Sequence, residues 1–84
     1  MGTGITSAAL LRAFGQALRA RREALELSQE ELAFRSEVHR TYISELERGL
    51  KNPSMTTLQK LATALKTTKT DLVRETERRE GKAK

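Results

Sequence analysis

The chain has 84 residues, of which 37% are hydrophobic, so it is long enough for one domain with a single small core. It contains no cysteine, which excludes a disulfide framework and a thiolate metal site, and its longest apolar run, residues 8–11, is far too short to cross a membrane. We therefore expect a cytoplasmic protein, and the net charge of +5 favours polyanions such as nucleic acid or an anionic membrane face.

The first predicted helix follows a loose stretch at the start of the chain. Residues 1–9 are expected to be a flexible lead-in, and either Thr6 or Ser7 is placed to cap the helix, which should end near Glu26. Its apolar positions recur at three, four and seven residues, the spacing of one face of an α-helix, and they are Leu11, Phe14, Leu18 and Leu25.

Two short helices are predicted next. Ser28 and Glu31 have the spacing of a capping box, which marks the start of a second helix. Residues 37–39 then interrupt the helical pattern, and a third helix is predicted from about His39 to Arg48. Gly49 should end it, because glycine adopts left-handed backbone readily.

The last two helices are predicted from Pro53 onward. Pro53 disfavours helix at the residue before it, and Ser54 is placed as the cap of a fourth helix. A fifth helix should begin between Lys66 and Thr68 and fray by Glu80. The domain is expected to cover residues 10–76, followed by a charged tail at 77–84. The fold class is all-α. The apolar residues of these two helices are Met55, Leu58, Leu61, Ala62, Leu65, Leu72 and Val73.

The second and third helices have the pattern of a helix-turn-helix. Ala33 is small, which lets two helix backbones cross closely at a steep angle. If Ile43 and Leu46 face the core, the opposite side of the third helix must project outward. That outer side consists of Arg40, Thr41, Ser44, Glu45 and Arg48.

The segment "LSQEELAFRSEVHRTYISELERGLKNPSMTTLQKLATAL", residues 27–65, resembles the Xre-type helix-turn-helix regulators, the family of the lambdoid phage repressors. The resemblance rests on Gln29, Leu32, Ala33, Gly49 and the "NPS" turn standing in register. It implies a five-helix lambda-repressor-like domain with a central helix-turn-helix, binding double-stranded DNA as a homodimer. The wording "RTYIS" is also similar to the small controller proteins of restriction-modification systems.

The resemblance implies roles for individual residues. Arg40 can donate two hydrogen bonds to a guanine, Glu45 can accept from a cytosine amine, and the Tyr42 ring can pack on the domain while its hydroxyl reaches a phosphate. The implied base contacts are His39, Arg40, Thr41, Ser44 and Glu45, and the implied phosphate contacts are Ser28, Gln29, Tyr42, Arg48, Lys51 and Asn52.

Two further features follow from the family pattern. Arg22 and Glu47 are expected to form a partly buried ion pair between the first helix and the end of the third. The dimer interface is expected around Met55, Leu65, Leu72 and Val73, with either Leu72 or Val73 facing the chain's own core.

The sequence departs from the family where glycine is common. Glu26 and Glu37 stand at such positions, at the ends of the first two helices, where left-handed or extended backbone is expected. A residue with a Cβ adopts left-handed backbone at a cost of about 1 kcal/mol.

Other functions remain open at this point. An antitoxin would use the same DNA-binding face and add a protein-binding one, and a protein-interaction module could keep the fold without binding DNA. An enzyme is disfavoured, because one histidine, one aspartate and no cysteine leave almost no catalytic or metal-binding set. We therefore expect no catalytic residue, metal, cofactor, membrane partner or small-molecule ligand.

Overall fold

The computed structural model describes the backbone of residues 3–82 and the side chains of residues 8–81, and this part of the chain contains helices and no strand. The five helices confirm the predicted all-α class. In chain order they are α1 (Thr3–Ala24), α2 (Gln29–Ser36), α3 (Arg40–Glu47), α4 (Met55–Ala64) and α5 (Lys69–Lys82).

Helix α1 begins earlier than predicted. It starts at Thr3, so residues 3–9 of the expected lead-in are helical, and Thr6 and Ser7 lie inside the helix rather than at its cap. Alanine and leucine, which dominate residues 8–11, are among the best helix formers, and they continue the helix toward the N-terminus. Residues 1 and 2 lie outside the described residues.

Helix α5 extends further than predicted. It runs to Lys82, beyond the expected fraying point at Glu80, and residues 83 and 84 of the predicted tail lie outside the described residues. Glu75 pairs with Arg79 at 2.9 Å and with Arg78 at 3.3 Å, spacings that support a helix. Thr76 is buried, so α5 packs against the rest of the domain as far as this residue.

The helix ends between α1 and α5 agree with the predicted signals. Ser28 caps α2 in a complete capping box, and Ser54 accepts from the backbone N–H of Thr57 at the start of α4. Gly49 has a φ of 77° and follows Arg48, the C-cap of α3. Glu26 and Glu37 have φ values of 58° and 59°, as expected, and Lys66, which the sequence analysis did not single out, has a φ of 58°.

One core joins all five helices. Ala33, Val38 and Tyr42 pack against its edge. Leu65 and Leu72, both predicted for a dimer interface, are 0% and 3% exposed, so neither side chain is available to a partner. The prediction for Leu65 was therefore wrong. Of the pair Leu72 and Val73, Leu72 is the one that faces the core. The largest fully buried side chains are Leu18, Leu32, Ile43, Leu46, Leu61 and Leu65.

Candidate nucleic-acid interface

Helices α2 and α3 form a helix-turn-helix. The turn begins at Glu37, whose left-handed backbone ends α2, and the N–H of Val38 donates to the carbonyl of Ala33 at 3.2 Å. His39 then stands at the N-cap of α3 with an exposed side chain. Because Ile43 and Leu46 are both fully buried, the opposite face of α3 is held outward.

The outward face of α3 carries the residues predicted to contact bases. Arg40 and Thr41 are exposed, and Ser44 and Glu45 are partly exposed. The structure thus brings this set together on one face. Within residues 8–81, the side chains of Arg40, Thr41 and Glu45 make no hydrogen bond to another residue, which leaves their donors and acceptors free for a ligand.

The predicted phosphate contacts flank this face and differ in how free they are. Lys51 and Asn52 are exposed in the loop between α3 and α4. Arg48 is exposed, and its Nε donates to the Ser44 carbonyl at 3.4 Å. Tyr42 is half-buried against the core, as its expected packing role requires.

Ser28 and Gln29, at the front of α2, already have partners within the chain. The Ser28 hydroxyl accepts from the Glu31 N–H at 3.0 Å, and the Ser28 N–H donates to the Glu31 carboxylate at 2.8 Å. The hydrogen bond from the Ser28 N–H lowers the pKa of the Glu31 carboxyl, and interaction of the carboxylate with the Ser28 hydroxyl lowers it further. The Gln29 Nε2 donates to Glu47 Oε1 at 3.0 Å, so one amide hydrogen of the predicted phosphate clamp is already used.

The structure brings the predicted ion pair into contact. Arg22 Nε lies 2.7 Å from Glu47 Oε2, and Arg22 Nη2 lies 3.0 Å from Glu47 Oε1, which is a two-bond arrangement. A third nitrogen, Nη1, donates to the Leu27 carbonyl at 2.8 Å. The hydrogen bonds to Glu47 raise the pKa of the Arg22 guanidinium above its ordinary value. The Arg22 and Glu47 side chains are 11% and 5% exposed, so the pair is largely shielded from solvent. With the bond from Gln29, it links α1, α2 and α3.

One contact and one exposed residue of α2 were not predicted from the sequence. The contact of Gln29 with the ion pair was not foreseen, because a contact among three helices leaves no local pattern. Phe34, which is 86% exposed on α2, was also passed over. Its position two residues after the buried Leu32 could have indicated an outward direction.

The remaining interface candidates lie on another surface. Met55 is 67% exposed and Val73 is 43% exposed, and with Leu58 they line a surface cavity of about 410 Å³ between α4 and α5. This apolar surface, formed by Met55, Leu58 and Val73, is called the α4–α5 patch below.

Comparison with known proteins decides what this helix-turn-helix is. A family model described as helix-turn-helix matches residues 18–72, which include α2, the turn and α3. The chain belongs to the Xre-type helix-turn-helix family. Members of this family are DNA-binding transcriptional regulators, and the chain is one of them.

Two of the similar proteins are named as control or controller proteins. The chain is 44% identical over 61 residues to the control protein C.BamHI of Bacillus amyloliquefaciens, covering 71% of this chain and 75% of that protein. It matches the crystal structure of the restriction-modification controller protein C.AhdI of Aeromonas hydrophila with a TM-score of 0.73 and 48% identity, covering 74% of this chain and 94% of that one.

Longer regulators match as well. The clp gene regulator ClgR of Corynebacterium glutamicum superposes with a TM-score of 0.82 at 36% identity, covering 86% of this chain and 77% of that one. A helix-turn-helix regulator of Mycobacterium tuberculosis is 42% identical over 52 residues, but the chain spans only 37% of its length.

Within the described residues, no helix is long and apolar enough to cross a membrane. The same part of the chain holds no cluster of three or more histidine, cysteine or acidic residues that could bind a metal ion.

Proposed function

We propose that the protein binds a pseudo-palindromic operator as a homodimer and regulates a nearby promoter. The observation that carries the proposal is the outward face of α3, where Arg40, Thr41, Ser44 and Glu45 lie together over a fully buried inner face. Unpaired polar groups on one side of a rigid helix are what reading base edges in the major groove requires.

Within this proposal, base reading and phosphate contact are divided between neighbouring segments. The Arg40 fork suits the O6 and N7 atoms of guanine, and the Glu45 carboxylate suits a cytosine amine. His39 joins them at the start of α3. Around them Arg48, Lys51 and Asn52 would hold the DNA backbone, together with the Tyr42 hydroxyl, the second amide hydrogen of Gln29 and the N-terminus of α2 at Ser28.

The proposal includes dimerisation through the α4–α5 patch. A single recognition helix contacts only a few base pairs, and two copies placed one DNA turn apart, about 34 Å, double the number read. Met55 and Val73 are exposed apolar residues for which the isolated chain offers no cover. Their burial against a second copy would remove apolar area from water and stabilise the pair.

The regulated system is proposed to be a restriction-modification locus. Its support is the likeness to proteins named as restriction-modification controllers, which favours this role over that of an antitoxin. The role places the protein with DNA in the cytoplasm and requires neither an enzymatic activity nor a cofactor.

Selection from random duplexes tests the proposal. The protein is incubated with a pool of duplexes containing a random 30-base-pair segment, and bound duplexes are amplified and sequenced. We expect inverted repeats whose half-sites are about 10 base pairs apart, centre to centre. Sedimentation of a selected duplex with the protein should give two chains per site. Enrichment of no sequence, or of unpaired half-sites bound by one chain, would contradict the proposal.

A further inference from the structure

Gly15 lies where α1 touches the end of the recognition helix α3. It is buried in the middle of α1, far from either end of that helix. A Cβ at this position would lie 2.5 Å from the carbonyl oxygen of Leu46 and 2.5 Å from that of Glu47. Glycine is unfavourable in a helix interior by about 1 kcal/mol relative to alanine, so the close approach is the physical reason for its presence here.

Two further contacts join α1 to the segment at the end of α3, on either side of Gly15. The position of a Cβ on Gly49 lies 3.1 Å from the Arg12 Cα, so the backbones also approach closely one turn earlier along α1. Arg22 binds Glu47 two turns later. Residues 12, 15 and 22 are spaced by three and seven, which places them along one side of α1. The end of α3 therefore lies against this side of α1 over three turns.

We propose that Gly15 is a positioning residue for DNA recognition, because it sets how closely the C-terminal end of α3 approaches α1 and hence how its outward face meets the groove. This inference rests on the proposed sequence-specific binding. Gly15 itself touches no DNA in this account, and it acts through Leu46 and Glu47.

An added methyl group would move the recognition helix. Ordinary contact with a Cβ begins at 3.4 Å, so a 2.5 Å approach must lengthen by about 1 Å. No side-chain rotation can relieve the contact, because both contacted atoms belong to the backbone. Binding groups must be held within about 0.5 Å of their productive positions, so a shift of this size changes which base edges Arg40 and Glu45 can reach.

The test compares Gly15→Ala with Gly81→Ala, which also replaces a helical glycine but meets nothing within 4 Å. Both are made in a Lys66→Gly background, which removes the strain of a left-handed residue just beyond α4 and offsets part of any loss of stability. Affinities are measured by titration for a duplex selected by the wild-type protein and for its scrambled version. A base-by-base substitution series of the selected duplex is measured for each variant.

We expect Gly15→Ala to fold, to lose at least tenfold of the selected-to-scrambled affinity ratio, and to change the order of base preference. Gly81→Ala should keep both. Loss of folded protein alone would weaken both duplexes equally and leave the ratio unchanged. An unchanged ratio in folded Gly15→Ala, or failure of that variant to fold even in the Lys66→Gly background, would overturn the proposal. A wild-type protein without sequence preference would instead overturn the proposed function.

Discussion

At the scale of single residues, the exposed side chains of α3 and the buried pair behind them have different physical roles. Arg40 has free donors facing solvent, whereas Arg22 uses three nitrogens on Glu47 and Leu27. The first arrangement leaves binding capacity for a ligand, and the second holds helices together. Substitutions at the two sites should therefore affect different measurements.

Arg40→Ala should reduce discrimination at one base pair of each half-site. The loss of two hydrogen bonds to a guanine should cost roughly 1 to 3 kcal/mol of specificity and leave nonspecific binding in place. Lys51→Ala is the contrast, because a phosphate contact should weaken all sequences alike and flatten the dependence of affinity on salt. Titration against the selected duplex and its single-base variants measures both. Full base preference in Arg40→Ala would refute its assignment.

Glu47→Gln should strongly destabilise the fold. It leaves the guanidinium of Arg22 in a site where that side chain is 11% exposed, and loss of one partner of a buried pair costs about 3 to 5 kcal/mol. The matched control is Glu23→Gln, which breaks a pair with Arg19 whose side chains are 63% and 53% exposed and should cost at most about 1 kcal/mol. Denaturant unfolding compares the two. Equal losses would show that the 22–47 pair behaves as a surface contact.

At the scale of helices, several helix ends place a residue other than glycine in the left-handed backbone conformation. The N–H groups of Leu27 and Thr67 donate back to Arg22 and Ala62, which closes the ends of α1 and α4 around Glu26 and Lys66. This geometry suits glycine, and any other residue adopts it with strain. The helix ends are therefore formed by hydrogen bonding and packing despite an unfavourable residue type.

Lys66→Gly should raise the unfolding free energy by about 1 kcal/mol, because it removes the strain of left-handed backbone. Lys60→Gly, an exposed position inside α4, should lower it by about 1 kcal/mol, because glycine is a poor helix former. The same exchange thus has opposite signs inside α4 and just beyond its end, and chemical denaturation measures both. A loss at position 66 would mean that the lysine side chain outweighs the strain.

The capping box of α2 should make part of the stability depend on pH. The pKa of Glu31 is lowered in the folded protein from an ordinary 4.5, so its contribution is complete above that value and is lost as the pH falls through the lowered pKa. Wild type should be more stable than Glu31→Gln near neutral pH, and the difference should vanish in acid. Unfolding curves of both proteins across this range are the measurement. A constant difference would exclude the charged capping bond as its source.

At the scale of the whole molecule, the α4–α5 patch lies on helices other than α3, which carries the residues proposed to read bases. Leu72 is buried inside the chain, whereas its neighbour Val73 is exposed. Adjacent residues on a helix point in different directions, which divides core packing from partner contact. The patch is therefore open to test without disturbing the core.

Val73→Glu and Met55→Glu should each give a folded monomer with greatly weakened operator binding. A carboxylate within an apolar interface carries a desolvation cost, but at these exposed positions it leaves the isolated chain intact. Gln16→Glu adds the same charge elsewhere on the surface and should remain dimeric. Leu72→Glu should instead unfold. Sedimentation and operator titration at matched concentration decide the matter, and dimers in both patch variants would place the interface elsewhere.

Most of the architecture could be predicted from the sequence, because it depends on interactions between neighbouring residues. The capping box at Ser28, the cap at Ser54, the stop at Gly49 and the left-handed glutamates each depend on a few neighbouring residues, so their outcome could be predicted from those residues. The outward face of α3 followed from the helical spacing of its buried residues. The family resemblance supplied the pairing of Arg22 with Glu47 and the assignment of base and phosphate contacts.

Only the tertiary structure decided the features that depend on distant segments. Burial removed Leu65 from the predicted dimer interface, and α5 continues two residues beyond its expected end. The contact of Gln29 with Glu47 and the fit of Gly15 against the Leu46 carbonyl join residues 18 or more positions apart. Side-chain periodicity reports which face of a helix is apolar but carries no information about which distant backbone or carboxylate will lie against it, because that is set by how the helices pack together.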